Sequence, residues 1–386
     1  MAKRFEEILD GCKQIVQDTN LSSVSDWKGA RKSKKAIGCF PVYTPEEVIH
    51  AAGMLPVGLL GGGAIEIDYA DSRIQSFVCS IARSTLELGL KGRLNILDGV
   101  VFPSICDVAR NLAGIWRRNF PTMFVEYVHF PQNITSAHAV EYLVSELLKL
   151  KTGLERMSGK KISNDDIANS IKIYNENRAL VSKLYQLRTK KPWAISTSEL
   201  YTIIRTGRFI PKEKHSIILQ SVLDAIEKRE RKQRDSLRVI IEGSFCEQPP
   251  IELLETIEEA GCYIIDDDLS LSSRWYEEPI QLNGNPLESL AYAYVHNAIK
   301  SSVRHNHTKP RDIVLVEKFR ELKADGVIFC SAKFCDPALF DFVLMKNTLE
   351  REGIPYISFE FEEKMSAFDN VRTQIETFVE SIMFFA

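Results

Sequence analysis

Short, uniformly apolar runs alternate along the chain with longer stretches in which apolar positions recur every three or four residues. One set of short runs is Ala36–Phe40, Leu55–Leu60, Ile96–Phe102 and Met123–His129. A second set is Arg238–Glu242, Tyr263–Asp266, Gly326–Cys330 and Tyr356–Phe361. These runs are rich in β-branched and aromatic residues and lack the alternation of a half-exposed strand. They predict strands of parallel sheets covered on both faces. Helical patterns such as Ile74–Leu90 and Asp107–Trp116 lie between them. The strand–helix alternation occurs twice, which predicts two doubly wound α/β units.

The span between these sets carries almost no strand signal. Ser163 to Asp166 reads as a capping box, followed by Ile167, Ile171, Tyr174, Val181 and Leu184 at helical spacing. A short helix is predicted from Ser198 to about Gly207, and another from Pro211 to about Glu230. A run of basic residues, Lys228, Arg229, Arg231, Lys232 and Arg234, closes the span and reads as a solvated helix face, with contact to an anionic partner as the alternative. The expected organisation is an N-terminal helical segment (1–34), a first α/β domain (35–136), a helical domain (137–236) and a second α/β domain (237–386).

Composition narrows the class. The 386 residues are 45% hydrophobic and 26% charged, an ordinary globular balance. The net charge of -3 gives no overall basic field for nucleic acid. The opening residues Met1–Lys13 read as an amphipathic helix and not as a signal peptide. The most continuous apolar run, Gly53–Ile65, is too short to span a membrane. A cytoplasmic protein is expected, with no membrane partner. Eight cysteines then stand out. In a reducing compartment they signify packing, a metal or cluster site, or redox chemistry.

Most familiar chemical motifs are missing. Gly61-Gly62-Gly63 follows a strand, but no Gly-Lys-Ser/Thr comes after it, and Glu66 occupies the third glycine position of a dinucleotide fingerprint. A tight turn is the better reading. No Gly-x-Ser-x-Gly elbow is present. His305 and His307 lack a further ligand at zinc spacing and read as a polar loop.

The cysteines carry more. Cys106-Asp107 and Cys335-Asp336 each lie between a predicted strand and a predicted helix, one pair in each half. Ligands of open α/β sheets bind at that edge, and a helix N-terminus favours a thiolate. Cys79, at another predicted helix start, can turn toward the same cleft. Cys246 also follows a strand and is the main rival. Cys12, Cys39, Cys262 and Cys330 read as packing thiols. Three convergent thiolates far apart in sequence suit a cluster held between domains with one iron lacking a cysteine.

Several segments, in order along the whole chain, resemble the benzoyl-CoA reductase and 2-hydroxyacyl-CoA dehydratase subunit family, most nearly its C (gamma) reductase branch. They are 38–56, Ser76–Cys79, Pro103–Asp107, Phe130–Gln132, Asp266–Asp268 with Arg274, Lys333–Asp336 and Gly353–Pro355. Gln374 departs from the pattern, standing where the family often has Arg, which puts an anion contact there in doubt. The resemblance implies two Rossmann-like domains with helical elements between them. It also implies a [4Fe-4S] cluster, or a larger iron–sulfur assembly, on Cys79, Cys106 and Cys335. The activity implied is ATP-dependent reduction of the benzoyl-CoA ring by reduced ferredoxin. The implied partners are a paralogous iron–sulfur subunit and ATP-hydrolysing activator subunits. A dehydratase (lyase) subunit and a non-catalytic electron relay are the alternatives, with a structural zinc protein behind them. Tyr43, Glu46 and His50 are candidate proton donors or CoA contacts, and Arg274 is a candidate for a CoA phosphate.

Overall fold

The computed structural model describes residues 2–29, 33–62, 65–246, 249–269, 271–304, 309–362, 364–365 and 367–385. The first sheet contains β1 (Ala36–Cys39), β2 (Leu55–Gly58), β3 (Gly99–Pro103) and β4 (Phe124–Val128), in the order β2-β1-β3-β4. The second contains β5 (Leu237–Glu242), β6 (Cys262–Asp267), β7 (Gly326–Ala332) and β8 (Tyr356–Phe361), in the order β6-β5-β7-β8. All neighbouring strands are parallel. The two halves therefore share one doubly wound topology, and every apolar run named above supplies one strand. The inner strands β1, β3, β5 and β7 are almost wholly buried, whereas the edge strands β4 and β8 are partly exposed.

In chain order the helices are α1 (Ala2–Gln17), α2 (Ser22–Lys28), α3 (Glu46–Ala51), α4 (Ser80–Leu90) and α5 (Asp107–Asn119). Then come α6 (Ala139–Ser158), α7 (Asn164–Lys190), α8 (Thr197–Thr206) and α9 (Lys212–Ile226). The second half adds α10 (Ile251–Glu259), α11 (Leu271–Arg274), α12 (Pro286–Asn297), α13 (Arg311–Glu321), α14 (Asp336–Glu352) and α15 (Asp369–Phe385). None of the helices described is long and apolar enough to cross a membrane.

The apolar cores cut across the four expected segments. α1 packs with α7, α8 and α9 through Phe5, Leu9, Val181, Leu184, Ile204 and Leu219. α6 and α12 both close over the first sheet, where Leu143, Leu147, Leu290 and Tyr294 join one core with Val100 and Phe102. The second sheet is covered separately on each face.

The helical layer starts as its sequence dictates. The Ser163–Asp166 capping box is formed, and α7 then runs for 27 residues, roughly 40 Å. The next helix begins at Thr197, one residue earlier than expected, because Ser196 and Glu199 form a second capping box. The basic run is not a helix face. α9 ends at Ile226, where the apolar periodicity stops, and the chain turns back. Arg229 pairs with Glu199 at 2.9 Å and Glu6 at 2.7 Å, Arg231 joins Glu199 at 2.6 Å, and Arg234 lies over the Tyr263 ring. A buried carboxylate at the start of α8 thus draws in two guanidinium groups.

His215 is buried between Asn177 and the carbonyl of Ile203. Burial pushes its pKa down to about 3. An unfolded histidine takes its proton near pH 6.5, so the unfolded state binds more protons below that pH. His215 therefore costs stability progressively as pH falls from about 6.5 toward 3. In urea titrations the stability gap between wild type and His215→Gln should narrow between pH 7 and pH 5. An unchanged gap would contradict this.

Candidate functional site

The carboxyl ends of the two inner strands β3 and β7 are built alike. Cys106 lies three residues beyond Pro103 and is the N-cap of α5. Cys335 lies three residues beyond Ala332 and is the N-cap of α14. The Ala109 N–H donates to Cys106 Sγ at 3.5 Å. The turn before Cys335 is closed by its own N–H on the Ala332 carbonyl and by Phe334 in the left-handed region, φ 63°.

Cys79 occupies the same kind of position, as the N-cap of α4. That helix starts at Ser80 and not at Ile74. The preceding loop is pinned from within: the buried Glu87 carboxylate accepts the N–H groups of Tyr69 at 2.9 Å and Ala70 at 2.7 Å. Arg83 holds Asp71 at 2.8 Å. These bonds fix the loop that delivers Cys79 to its helix.

Burial separates the cysteines into two groups. Cys79, Cys106 and Cys335 are partly exposed, and the other five are buried. Burial pushes the Cys12 and Cys39 thiols up, and takes Cys262 to about 12. These thiols are packing groups, as expected. Cys246 follows β5 but is buried against the first sheet's core, with Sγ 3.7 Å from the Pro41 carbonyl.

The two halves meet at the thiol edge. Cys335 packs against the core of each sheet. Burial raises the Cys106 pKa, the N–H groups of Ala109 and Val108 oppose the rise, and the carboxylates of Asp107 and Asp336 add to it. Asp336, the first residue of α14, therefore lies within electrostatic reach of Cys106. A bound cationic centre would reverse this balance in favour of thiolate. Among the described residues no three His, Cys, Asp or Glu side chains are gathered around the position of a single metal ion. The available donor set is instead three thiols on three separate helix starts. An iron–sulfur cluster, which spreads its thiolates over several irons, matches that kind of set.

Beside Cys106 a cavity of about 630 Å³ opens along the edge strand β4. Tyr127, His129 and Phe130 line it from β4 and the loop beyond, and His138 and Tyr142 line it from the start of α6. Tyr127 meets His129 edge-on with ring centroids 4.6 Å apart. The Phe130 N–H donates to Ser104 Oγ at 2.7 Å, tying the two loops together. Sequence reasoning did not single out Tyr127 or His129. Their signal was the polar break in an otherwise apolar run.

The other candidates lie elsewhere. Glu46 is buried against Arg208 and Lys212. Burial alone would raise its pKa, but Arg208 and Lys212 hold it below the ordinary range. His50 faces Ser170 at 2.9 Å and Glu213 at 3.3 Å. Both side chains fasten α3 to the helical layer. Tyr43 is buried, its hydroxyl 2.7 Å from Ser301 Oγ, and burial pushes its pKa up to about 12. Arg274 lines a separate cavity of about 250 Å³ whose cations face the carboxylates of Glu242, Asp266 and Asp268. It pairs with Asp266 at 2.9 Å and stacks on Tyr185. Gln374 is exposed on α15. His305 and His307 lie outside the described residues.

Comparison with known proteins adds a family. The profile of the 2-hydroxyglutaryl-CoA dehydratase D-component matches residues 41–382. A benzoyl-CoA reductase subunit of Thauera aromatica is 41% identical over 97% of this chain and 98% of its own length. The beta subunit of lactoyl-CoA dehydratase of Anaerotignum propionicum is 31% identical over 98% of this chain and 100% of its own. The beta subunit of (R)-2-hydroxyglutaryl-CoA dehydratase of Acidaminococcus fermentans is 28% identical over 91% of this chain and 93% of its own.

Proposed function

The chain belongs to the family of 2-hydroxyglutaryl-CoA dehydratase D-components, and from that membership we propose that it is the iron–sulfur subunit of an ATP-dependent benzoyl-CoA reductase. The observation that carries this reading is the set of three partly exposed thiols at three helix starts, two of them at matching positions in the two halves. The 41% identity to a reductase subunit supports the choice of reaction.

In this reading Cys79, Cys106 and Cys335 hold a [4Fe-4S] cluster or a larger iron–sulfur assembly. When bound, the cluster supplies low-potential electrons one at a time. The chain's residues set the conditions for that. The N–H groups of Val108 and Ala109 stabilise negative charge on the Cys106 sulfur. The two apolar cores that meet at Cys335 limit water on one side of the site. The overall reaction adds two electrons and two protons to the ring of benzoyl-CoA, giving cyclohexa-1,5-diene-1-carboxyl-CoA. Reduced ferredoxin is the electron source, a paralogous iron–sulfur subunit forms the rest of the catalytic core, and separate activator subunits hydrolyse ATP.

A dehydratase subunit is the second reading, favoured by the beta subunits that align along nearly the whole chain. A dehydratase returns its electron each turnover and consumes none. Both readings require iron. The anaerobically purified complex should show broad visible absorbance with matching iron and acid-labile sulfide, and a colourless zinc protein would overturn them. Cys246→Ser should leave iron and sulfide unchanged, since that thiol is packed against Pro41. Loss of the cluster in this variant would make Cys246 a ligand.

A further inference from the structure

The three thiols come from two halves of the chain. Cys79 and Cys106 cap helices of the first half, and Cys335 caps α14 of the second. A cluster held by all three needs the spacing between the halves fixed. Whatever locks the start of α14 in place therefore sets the geometry of the thiolate set.

One side chain does this from the second cavity. Arg311, at the start of α13, lines the space of about 250 Å³ beyond the carboxyl ends of β5 and β6. Its Nη1 donates to Asp341 on α14 at 2.5 Å and to Ser302 Oγ at 2.8 Å. Its Nη2 donates to Glu242, the last residue of β5, at 2.5 Å and lies 3.7 Å from Asp268, just past β6. All four partners are buried. Asp341 follows Cys335 on the same helix by about 9 Å along its axis.

These partners come from the elements that surround the Cys335 turn. Glu242 is in register with Phe329 of β7. Asp268 accepts the N–H groups of Gly243 and Ser244, each at 2.9 Å, and Ser244 Oγ donates to the Cys330 carbonyl of β7. Ser302 follows Ser301, whose Oγ meets the Tyr43 hydroxyl at 2.7 Å, and Tyr43 belongs to the first core. A single planar guanidinium thus joins the Cys335 helix to the second sheet and to the first half. A lysine ammonium lacks the fork of donors that this requires. Among the described residues Arg311 is the cation paired with Asp341. Its loss would leave that carboxylate buried without a counter-charge, at the end of α14 that carries Cys335.

Resting on the cluster reading above, we infer that Arg311 is a positioning residue for that cluster. It acts through Asp341 to hold Cys335 in register with the two thiols of the first half.

The test compares intact complexes purified anaerobically. The iron and the reduced-cluster EPR signal that Cys106→Ser removes define this chain's share. Asp341→Ala removes the arm to α14 and leaves Arg311 on Glu242. In that variant this chain's iron should pass to a chelator about tenfold faster, and its EPR g values should shift. Arg311→Gln should do the same, and Arg311→Lys should recover part of the retention. Asp341→Ala carries the test should Arg311→Gln not assemble. The same two helices are joined far from Cys335 by exposed Arg320 and Glu352 at 2.5 Å, so Arg320→Gln should match wild type in both readouts. A lower unfolding midpoint with unmoved g values and iron release would make Arg311 a structural anchor only and overturn the inference, leaving the cluster reading in place. If none of the three Cys→Ser variants lost iron, that reading would fall, and this inference with it.

Discussion

Replacing Cys106 with Ser should strip iron and acid-labile sulfide from the anaerobically purified complex while leaving the chain folded. The same result is expected for Cys79→Ser and Cys335→Ser. All three thiols are helix N-caps, and serine is among the best residues for that position. The Ala109 N–H that now meets the Cys106 sulfur would meet a hydroxyl oxygen instead. Helix content and unfolding midpoint should therefore change little, and the loss of metal then reports a lost ligand and not a lost fold. Hydroxyl groups bind iron far less well than thiolates. Retention of full iron and sulfide in all three variants would remove these residues from the site.

The second large effect is on stability. Arg188→Ala should cost about 3–5 kcal/mol, read as a lower urea midpoint. Arg188 and Asp267 are each about 1% exposed and pair at 2.6 Å. Truncating Arg188 would leave the Asp267 carboxylate buried, with hydrogen bonds from Tyr185 at 2.8 Å and the Leu269 N–H at 3.0 Å still in place. The pair bolts α7 to β6, the long helix to the second sheet. Adding Asp267→Ala should recover part of the loss, because the second change removes the stranded charge. A cost below about 1 kcal/mol would mean that the pair is no anchor.

The strands were legible because both faces of the inner ones are covered. Val100, Val101 and Phe102, or Val327 to Cys330, need no polar alternation, so the run itself is the signal. The thiol positions were legible for a related reason. Cys106 and Cys335 lie just past such a run and just before a helix, which places them at the ligand-binding edge. Cys246, also past a run, is packed against Pro41, a contact that chain order does not reveal. The pairings that join the layers could not be read this way. Arg188 and Asp267 are 79 residues apart, and Glu46 and Arg208 are 162 apart. Spacing carries no trace of such contacts, so Glu46 and Arg274 looked available for chemistry when their charges were already matched. The basic run misled for a local reason. Its residues look alike, yet Arg229 is nearly buried on Glu199, while Lys232 is exposed. The cavity beside Cys106 lay on an edge strand, where Glu126, Tyr127 and His129 interrupt the apolar pattern that strand prediction rewards.

The reductase reading turns on where the electrons go. The intact complex, supplied anaerobically with benzoyl-CoA, ATP and a measured amount of reduced ferredoxin, should form cyclohexa-1,5-diene-1-carboxyl-CoA. Two electrons should be consumed for each diene formed. No diene, together with turnover of a 2-hydroxyacyl-CoA that leaves the reductant unconsumed, would contradict the account and make the chain a dehydratase subunit.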